Sequence, residues 1–402
     1  MKWRNKCSEF DQEFSIYEKY IKNNNGRIKI YIYGNIRKDY ISTLELFKEY
    51  LDIESREKAK LEEEPDGFAI YDIGVDMLQI RKPLVNNRDD VFQDKETMDK
   101  WIEYKNHFFL GFPSEKDFFN TLFPILFTYV YNKTFLPSTQ VFITPRCTLK
   151  CIGCCNGCNK WNNLDKSKDM DFDTFKTSID YLFKHFDYVG KIALVGGETF
   201  LHSQLGVFVE YIYQNYYNRL GSIYIYTNNT VLLKESLLPQ LQDPKTVLFV
   251  SFYDVPLFNK IKNTNLNFIY KNKLNVFLCA DITRRWIDWK LGTKRELSLD
   301  QENTIYNCRE RDIPGIRCTA VYKNKFFACC VAGAYYQMEN IELQNYDYLD
   351  LSRDDIPKKE ILEFTKYYSD TGYTTMCKYC QGENSELMSV AIQENSRRKR
   401  RL

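Results

Sequence analysis

The sequence predicts an α/β protein whose main sheet is parallel, with helices packed outside the strands. Three observations carry this. From Val141 onward, short apolar runs alternate with segments whose apolar residues recur at three-and-four spacing. Repeated strand–helix units of this kind make parallel strands, either closed as a barrel or left as an open sheet. A strand–glycine–helix pattern near the N-terminus predicts a smaller α/β domain ahead of them. Finally, cysteines and glycines directly follow two of the main strands, at the ends where parallel sheets gather ligands.

Taken in order, Ile28 to Tyr33 reads as a buried strand ending at Gly34-Asn35, with a helical pattern through Leu44, Leu46, Phe47 and Leu51. Gly34 stands alone in that turn, so the dinucleotide fingerprint is missing and residues 1–135 are expected to hold no cofactor of their own. Glu54 to Asp66 is charged and reads as an exposed helix or loop. The main block, residues 136–300, opens with the strand Val141 to Thr144. Asp171 is placed to cap a one-sided helix through Phe172, Phe175, Ile179, Leu182, Phe183 and Phe186. A strand at Ile192 to Val195 and a helix at Leu205 to Tyr217 follow, then strands at Ser222 to Thr227, Thr246 to Phe252 and Asn275 to Ala280. Residues 301–385 lack a clear period, and metal ligation is expected to replace part of a core there. Residues 386–402 read as a frayed helix and basic tail.

Composition narrows the function. Hydrophobic residues at 44%, charged residues at 27% and a net charge of +2 leave no field that would select nucleic acid. The run Arg397 to Arg401 reads as a solvated tail. The most apolar stretch, Phe118 to Tyr131, is short and broken by Pro124, so no membrane span is expected. Met1-Lys2-Trp3-Arg4 lacks the apolar core of a signal peptide, which predicts a cytoplasmic, reducing location. There the thirteen cysteines call for metal rather than disulfides. Five lie between Cys147 and Cys158, and six between Cys308 and Cys380.

Cys147, Cys151 and Cys154 put three thiols within eight residues, immediately after a strand. Iron–sulfur clusters are held by cysteine thiolates, and three ligands leave one iron of a cube open. Structural zinc sites close with four, usually as two Cys-x-x-Cys pairs. Cys151, Cys155 and Cys158 satisfy the same C-x3-C-x2-C spacing, so two registers are open. Direct succession to the strand favours the first.

These residues resemble the signature of the radical S-adenosylmethionine superfamily. Gly196-Gly197-Glu198, after the strand ending at Val195, is similar to that family's GGE segment. Thr227-Asn228-Asn229 is similar to its TNG-like segment, with Asn229 where glycine is usual, and Ser251 falls where the family often has a polar residue near the ribose. The resemblance implies a partial (β/α)6 barrel. It also implies a [4Fe–4S] cluster on Cys147, Cys151 and Cys154, with S-adenosylmethionine on its open iron. Gly196, Gly197, Glu198, Thr227, Asn228 and Ser251 would bind that cofactor, the acid pairing with its ammonium group. An electron from a flavodoxin- or ferredoxin-type donor would cleave the sulfonium, and the 5′-deoxyadenosyl radical would take a hydrogen atom from substrate.

The second cysteine group resembles the SPASM or shortened twitch extension of that superfamily. Cys318 to Cys329 reads as a hairpin turning at Lys323-Asn324, and Cys377-Lys-Tyr-Cys380 supplies a further pair. The resemblance implies one auxiliary [4Fe–4S] cluster on Cys318, Cys329, Cys377 and Cys380, with Cys308 or Cys330 able to substitute. On the residues alone, a zinc ribbon remains open. Relatives with this extension dehydrogenate or epimerise sugars and aminocyclitols, or modify peptides. A carbohydrate or small polar metabolite is favoured here, with a ribosomally made peptide as the alternative substrate and a cysteine-rich zinc protein as the non-enzymatic one. Cys279, at the end of its strand, is a candidate hydrogen donor, and Asp288 a candidate base near Trp286 and Trp289. His107, His185 and His202 show no ligand spacing.

Overall fold

The computed structural model describes residues 24–33, 44–56, 68–71, 123–160, 165–279, 285–291, 319–338, 341–366, 373–380 and 386–394. Near the N-terminus, β1 (Ile28–Tyr33), β2 (Leu51–Arg56) and β3 (Phe68–Tyr71) form a parallel sheet in the order β2-β1-β3. Two expectations change here. Leu51 begins a strand instead of continuing the helix, which is described only as a turn at 44–46, and residues 54–56 belong to that strand. Pairing of Leu51 and Ile53 with Ile28 and Ile30 outweighs the helical spacing.

This unit is fastened to the rest by aromatic packing. Phe47 is fully buried and meets Phe123 and Phe127 of α1 (Phe123–Tyr131), Phe135 of β4 (Phe135–Leu136) and Tyr188 edge-on, with ring centroids 4.8 to 5.0 Å apart. Such rings bury large apolar areas in the geometry their quadrupoles favour.

The main sheet is as the alternation predicts. β5 (Thr139–Thr144), β6 (Tyr188–Gly196), β7 (Leu220–Thr227), β8 (Thr246–Ser251) and β9 (Val276–Cys279) pair in parallel in chain order. Their apolar character on both faces suits parallel strands covered by helices. Helices α2 (Phe172–His185), α3 (Leu205–Tyr216) and α4 (Pro256–Lys271) cross between them. Asp171 caps α2, its carboxylate accepting from Thr174 N–H at 2.8 Å. Phe175 of α2 stacks on Phe208 of α3 with centroids 4.0 Å apart. No helix among the described residues is long and apolar enough to cross a membrane.

Beyond β10 (Arg285–Asp288), the chain returns to the opposite edge of the sheet. β11 (Thr319–Tyr322) pairs in parallel with β5, then turns at Lys323 (φ +53°) into antiparallel β12 (Lys325–Phe327). The hairpin is the one the sequence predicts. β13 (Tyr348–Asp350) follows, with α5 (Cys330–Gln337) before it and α6 (Lys358–Thr365) after it. The expected boundary at 301 lies outside the described residues, and the section beyond it continues the main sheet instead of standing apart. Val321, Phe326, Leu349, Ile361 and Phe364 share the main core. The C-terminal segment is also not a frayed tail: β14 (Glu386–Ser389) pairs antiparallel with β10, Met388 facing in while Leu387 is exposed. The basic run 397–401 lies outside the described residues.

Phe326 ties this returning hairpin to the core, fully buried between Phe186 and Phe364. Phe326→Ala is expected to cost about 3–5 kcal/mol of unfolding free energy, read from the shift of the urea midpoint. A change below about 1 kcal/mol would show the hairpin to be peripheral to the core.

Candidate metal and cofactor site

Because β5 to β9 run in parallel and in order, their C-terminal ends share one edge. Thr144 pairs with Gly196, Thr227 with Val250, and Ser251 with Cys279. The loop after β5 bends across that edge and is held to the turn after β6. Gly197 N–H donates to Thr144 O at 2.9 Å, and Glu198 N–H donates to Arg146 O at 2.7 Å. Buried Arg146 reaches Asp169 through Nε at 2.9 and 3.0 Å and also donates to Leu201 O. The glycines serve this contact. A Cβ on Gly197 would lie 2.6 Å from the Cys147 Cβ and still closer to Arg146 O, and one on Gly196 would run into Thr144 O.

A cavity of about 370 Å³ opens at this edge. Cys147, Cys151, Cys154, Cys155 and Cys158 all line it, with Gly196, Gly197, Thr227, Asn228 and Ser251 on adjoining walls. Tyr253, Trp286 and Trp289 line it too, along with Gln140, Asn156 and Asn159. Among the described residues, no three Cys, His, Asp or Glu side chains converge tightly enough to hold a single metal ion.

The thiols differ in their surroundings. Burial pushes Cys147 well above the usual thiol range, although Leu149 N–H and Asn228 Nδ2 both donate to its Sγ at 3.4 Å. Burial likewise pushes Cys151 up to about 12, opposed by a bond from Gln393 Nε2 at 3.2 Å. Cys154 is lowered. The Cys158 thiol and nearby backbone N–H groups favour its thiolate, while Cys158 is raised by the same pairing. A cation that binds buried thiols must displace their protons, so ligation by the raised groups depends on pH. Gly153 and Gly157, at φ +74° and +65°, give the loop its sharp bends.

Glu198 stands behind the cavity wall. It is fully buried and does not line the cavity. Its carboxylate accepts from Phe200 N–H at 3.1 Å, Asn228 N–H at 2.8 Å, and the Thr227 hydroxyl at 2.9 and 3.0 Å. Burial raises it to about 7 despite these bonds. It therefore joins the ends of β6 and β7. Asn229 takes φ +56°, a conformation that favours glycine and that asparagine tolerates, and accepts from Asn265 at 2.7 Å.

Cys279 and Asp288 do not line the cavity: Cys279 is half-buried in β9, and Asp288 accepts from Lys290 N–H. Trp286 and Trp289 line it, and Trp289 is also buried in an apolar cluster beside it. His202 is buried with both ring nitrogens engaged, by Met170 O at 3.0 Å and Gln204 N–H at 3.1 Å. His185 is half-buried and bonded to Leu351 O. His107 lies outside the described residues.

Of the expected auxiliary ligands, Cys318 lies outside the described residues, as does Cys308, one of the two possible substitutes. Cys329 caps α5 and packs with Cys380 in one apolar cluster that also contains Cys330 and Trp289. Cys377 and Cys380 bracket the last turn of a short 3-10 helix, and Thr374 N–H donates to the Cys377 Sγ at 3.5 Å. Tyr335 of α5 stands between the two cysteine regions, its hydroxyl where a side chain on Gly157 would begin. Sequence reading missed Gln393, Asn156 and Tyr335. Only Asn156, inside the cysteine loop, carried a local signal; its Nδ2 donates to Gly196 O at 3.0 Å.

No family model matches the chain. Over 102 residues, 25% of this chain, it is 37% identical to the uncharacterized protein MJ0907 of Methanocaldococcus jannaschii, and the match spans 33% of that protein's length. Among solved structures, the chain is similar to BtrN in complex with AdoMet and 2-DOIA, at 16% identity and TM-score 0.38, covering 65% of this chain and 100% of that one. It is similar to anSMEcpe with bound AdoMet at 14% identity and TM-score 0.35, covering 62% and 85%. For SuiB of Streptococcus suis bound to S-adenosylmethionine the values are 13% and 0.29, covering 73% and 71%.

The bonding of Glu198 generates a prediction. Each of its oxygens accepts a backbone N–H, so Glu198→Gln turns an amide NH2 toward one of those donors. The expected loss is about 1–3 kcal/mol of stability, read by urea denaturation. Wild-type stability would mean that the carboxylate does not hold the strand ends.

Proposed function

We propose that this chain is a radical S-adenosylmethionine enzyme. The observation that supports the reading best is the shared cavity. Cys147, Cys151 and Cys154 meet Gly196, Gly197, Thr227, Asn228 and Ser251 there, at the C-terminal edge of a parallel sheet. The donor set fits a [4Fe–4S] cluster: three thiols from one loop, with amide N–H groups directed at two of the sulfurs. Bound there with S-adenosylmethionine, the cluster would supply the electron that releases a 5′-deoxyadenosyl radical.

The remaining work falls to the chain's own residues. Gly196 and Gly197 let the cysteine loop lie against β6, which sets where the thiols stand. Thr227, Asn228 and Ser251 offer hydroxyl and amide groups to the cofactor's polar parts. Trp286, Trp289 and Tyr253 form an aromatic side of the cavity and would exclude water from a radical. Flat aromatic faces beside Gln140, Asn156 and Asn159 suit a polyhydroxylated ring, which favours a carbohydrate or similar small polar metabolite as substrate. The reaction would be a dehydrogenation or epimerisation. Cys329, Cys377 and Cys380, with Cys318, remain the proposed ligands of one auxiliary cluster. No catalytic step is assigned to Cys279 or Asp288, which stand off the cavity.

Changing Cys147 and Cys154 together to Ala, with Cys151 left in place because both registers use it, should abolish 5′-deoxyadenosine formation from S-adenosylmethionine under anaerobic reducing conditions. Changing Cys155 and Cys158 should leave it measurable. The reverse outcome would move the cluster to the Cys151, Cys155 and Cys158 register, and stoichiometric zinc without labile sulfide in wild-type protein would falsify the reading.

A further inference from the structure

The C-terminal segment lies directly against the cysteine loop. After β14 the chain turns at Ala391 (φ +53°) and runs antiparallel to residues 150–152. Ile152 N–H donates to Ile392 O at 2.8 Å, and Glu394 N–H donates to Lys150 O at 2.9 Å. Between them, Gln393 pairs with Cys151 across an isolated β-bridge. Its carboxamide is used from both ends. Oε1 accepts from Lys150 N–H at 2.9 Å, while Nε2 donates to Cys151 Sγ at 3.2 Å and to Ala391 O at 2.8 Å. The Met388 thioether fills the space where a side chain on Gly153 would begin, which brings β14 against the cysteine loop.

Two physical consequences follow. A carboxamide anchored at three points fixes the direction of the Cys151 sulfur, because its own rotamer is locked. An N–H directed at a ligating thiolate draws electron density from the sulfur, which favours the reduced and more negative state of an attached cluster.

We propose that Gln393 is a positioning residue for the metal centre, holding Cys151 toward the cavity and raising the reduction potential of the cluster that Cys151 ligates. This rests on the reading of Cys147, Cys151 and Cys154 as cluster ligands.

The test uses the full-length protein with Gln393→Met, which removes both functions, and Gln393→Glu, which keeps the acceptor but not the donor. In metal-free protein, hydrogen exchange at the Lys150 amide should quicken about tenfold in Gln393→Met, the loss of one hydrogen bond, and stay near wild type in Gln393→Glu. In anaerobically reconstituted protein, the midpoint potential of the first cluster, followed by electron paramagnetic resonance, should fall in both variants. The coupling of an exchangeable deuteron to the cluster should weaken in both. Loss of iron from the first site with an unchanged circular dichroism spectrum would equally support the positioning role. Wild-type potential and deuteron coupling in Gln393→Met at full iron content would overturn the proposal. Failure of the wild-type protein to take up iron and sulfide would instead sink the reading of the site, leaving the contact itself to be judged by Lys150 exchange.

Discussion

The site depends on the close approach of two backbones. The loop Thr144 to Cys147 lies on Gly196 and Gly197 with no room for a side chain between them. That contact sets the cysteine loop across the end of β6, and the hydrogen bonds from Gly197 and Glu198 keep it there. Everything chemical is built outward from it. Arg146 and Asp169 brace the loop on one side, Asn228 reaches Cys147 from β7, and Asn156 returns to Gly196. A misplaced loop would separate the thiols from the polar strand ends, and neither half alone would make a cofactor site.

Charge is managed by burial. Cys147 and Cys151 are pushed toward the neutral thiol, whereas Cys154, beside a neighbouring thiol and backbone amides, is drawn toward the thiolate. A cation bound by Cys147 and Cys151 would have to displace their protons, so its binding would tighten as pH rises. Glu198 shows the same force in another role: a buried carboxylate kept within the protein by backbone donors, stabilising the turn instead of facing ligand.

Strand β1, the main-sheet strands β5 to β9, the Asp171 cap, the hairpin at Lys323 and the cysteine loop were legible, because each rests on local periodicity or turn chemistry. The bonding of Glu198 was not legible, because spacing marks a strand end but not which neighbours donate to an acid there. Leu51 was misjudged because pairing with β1 overrode a helical pattern. The C-terminal segment gave no signal at all. Its partner, Cys151, lies 242 positions away, and a short run with one buried methionine resembles any tail until that partner is present. Contacts of such range are set by topology, which local sequence does not carry.

The central claim is that three thiols hold a cluster with one iron left open to S-adenosylmethionine. The direct measurement is the Mössbauer spectrum of iron-57-enriched, anaerobically reconstituted protein carrying Cys377→Ala and Cys380→Ala, recorded before and after S-adenosylmethionine is added. The account predicts a cubane cluster in which a single iron site changes on addition while the rest do not. A spectrum indifferent to S-adenosylmethionine, or iron found only as an isolated tetrahedral thiolate ion, would contradict it.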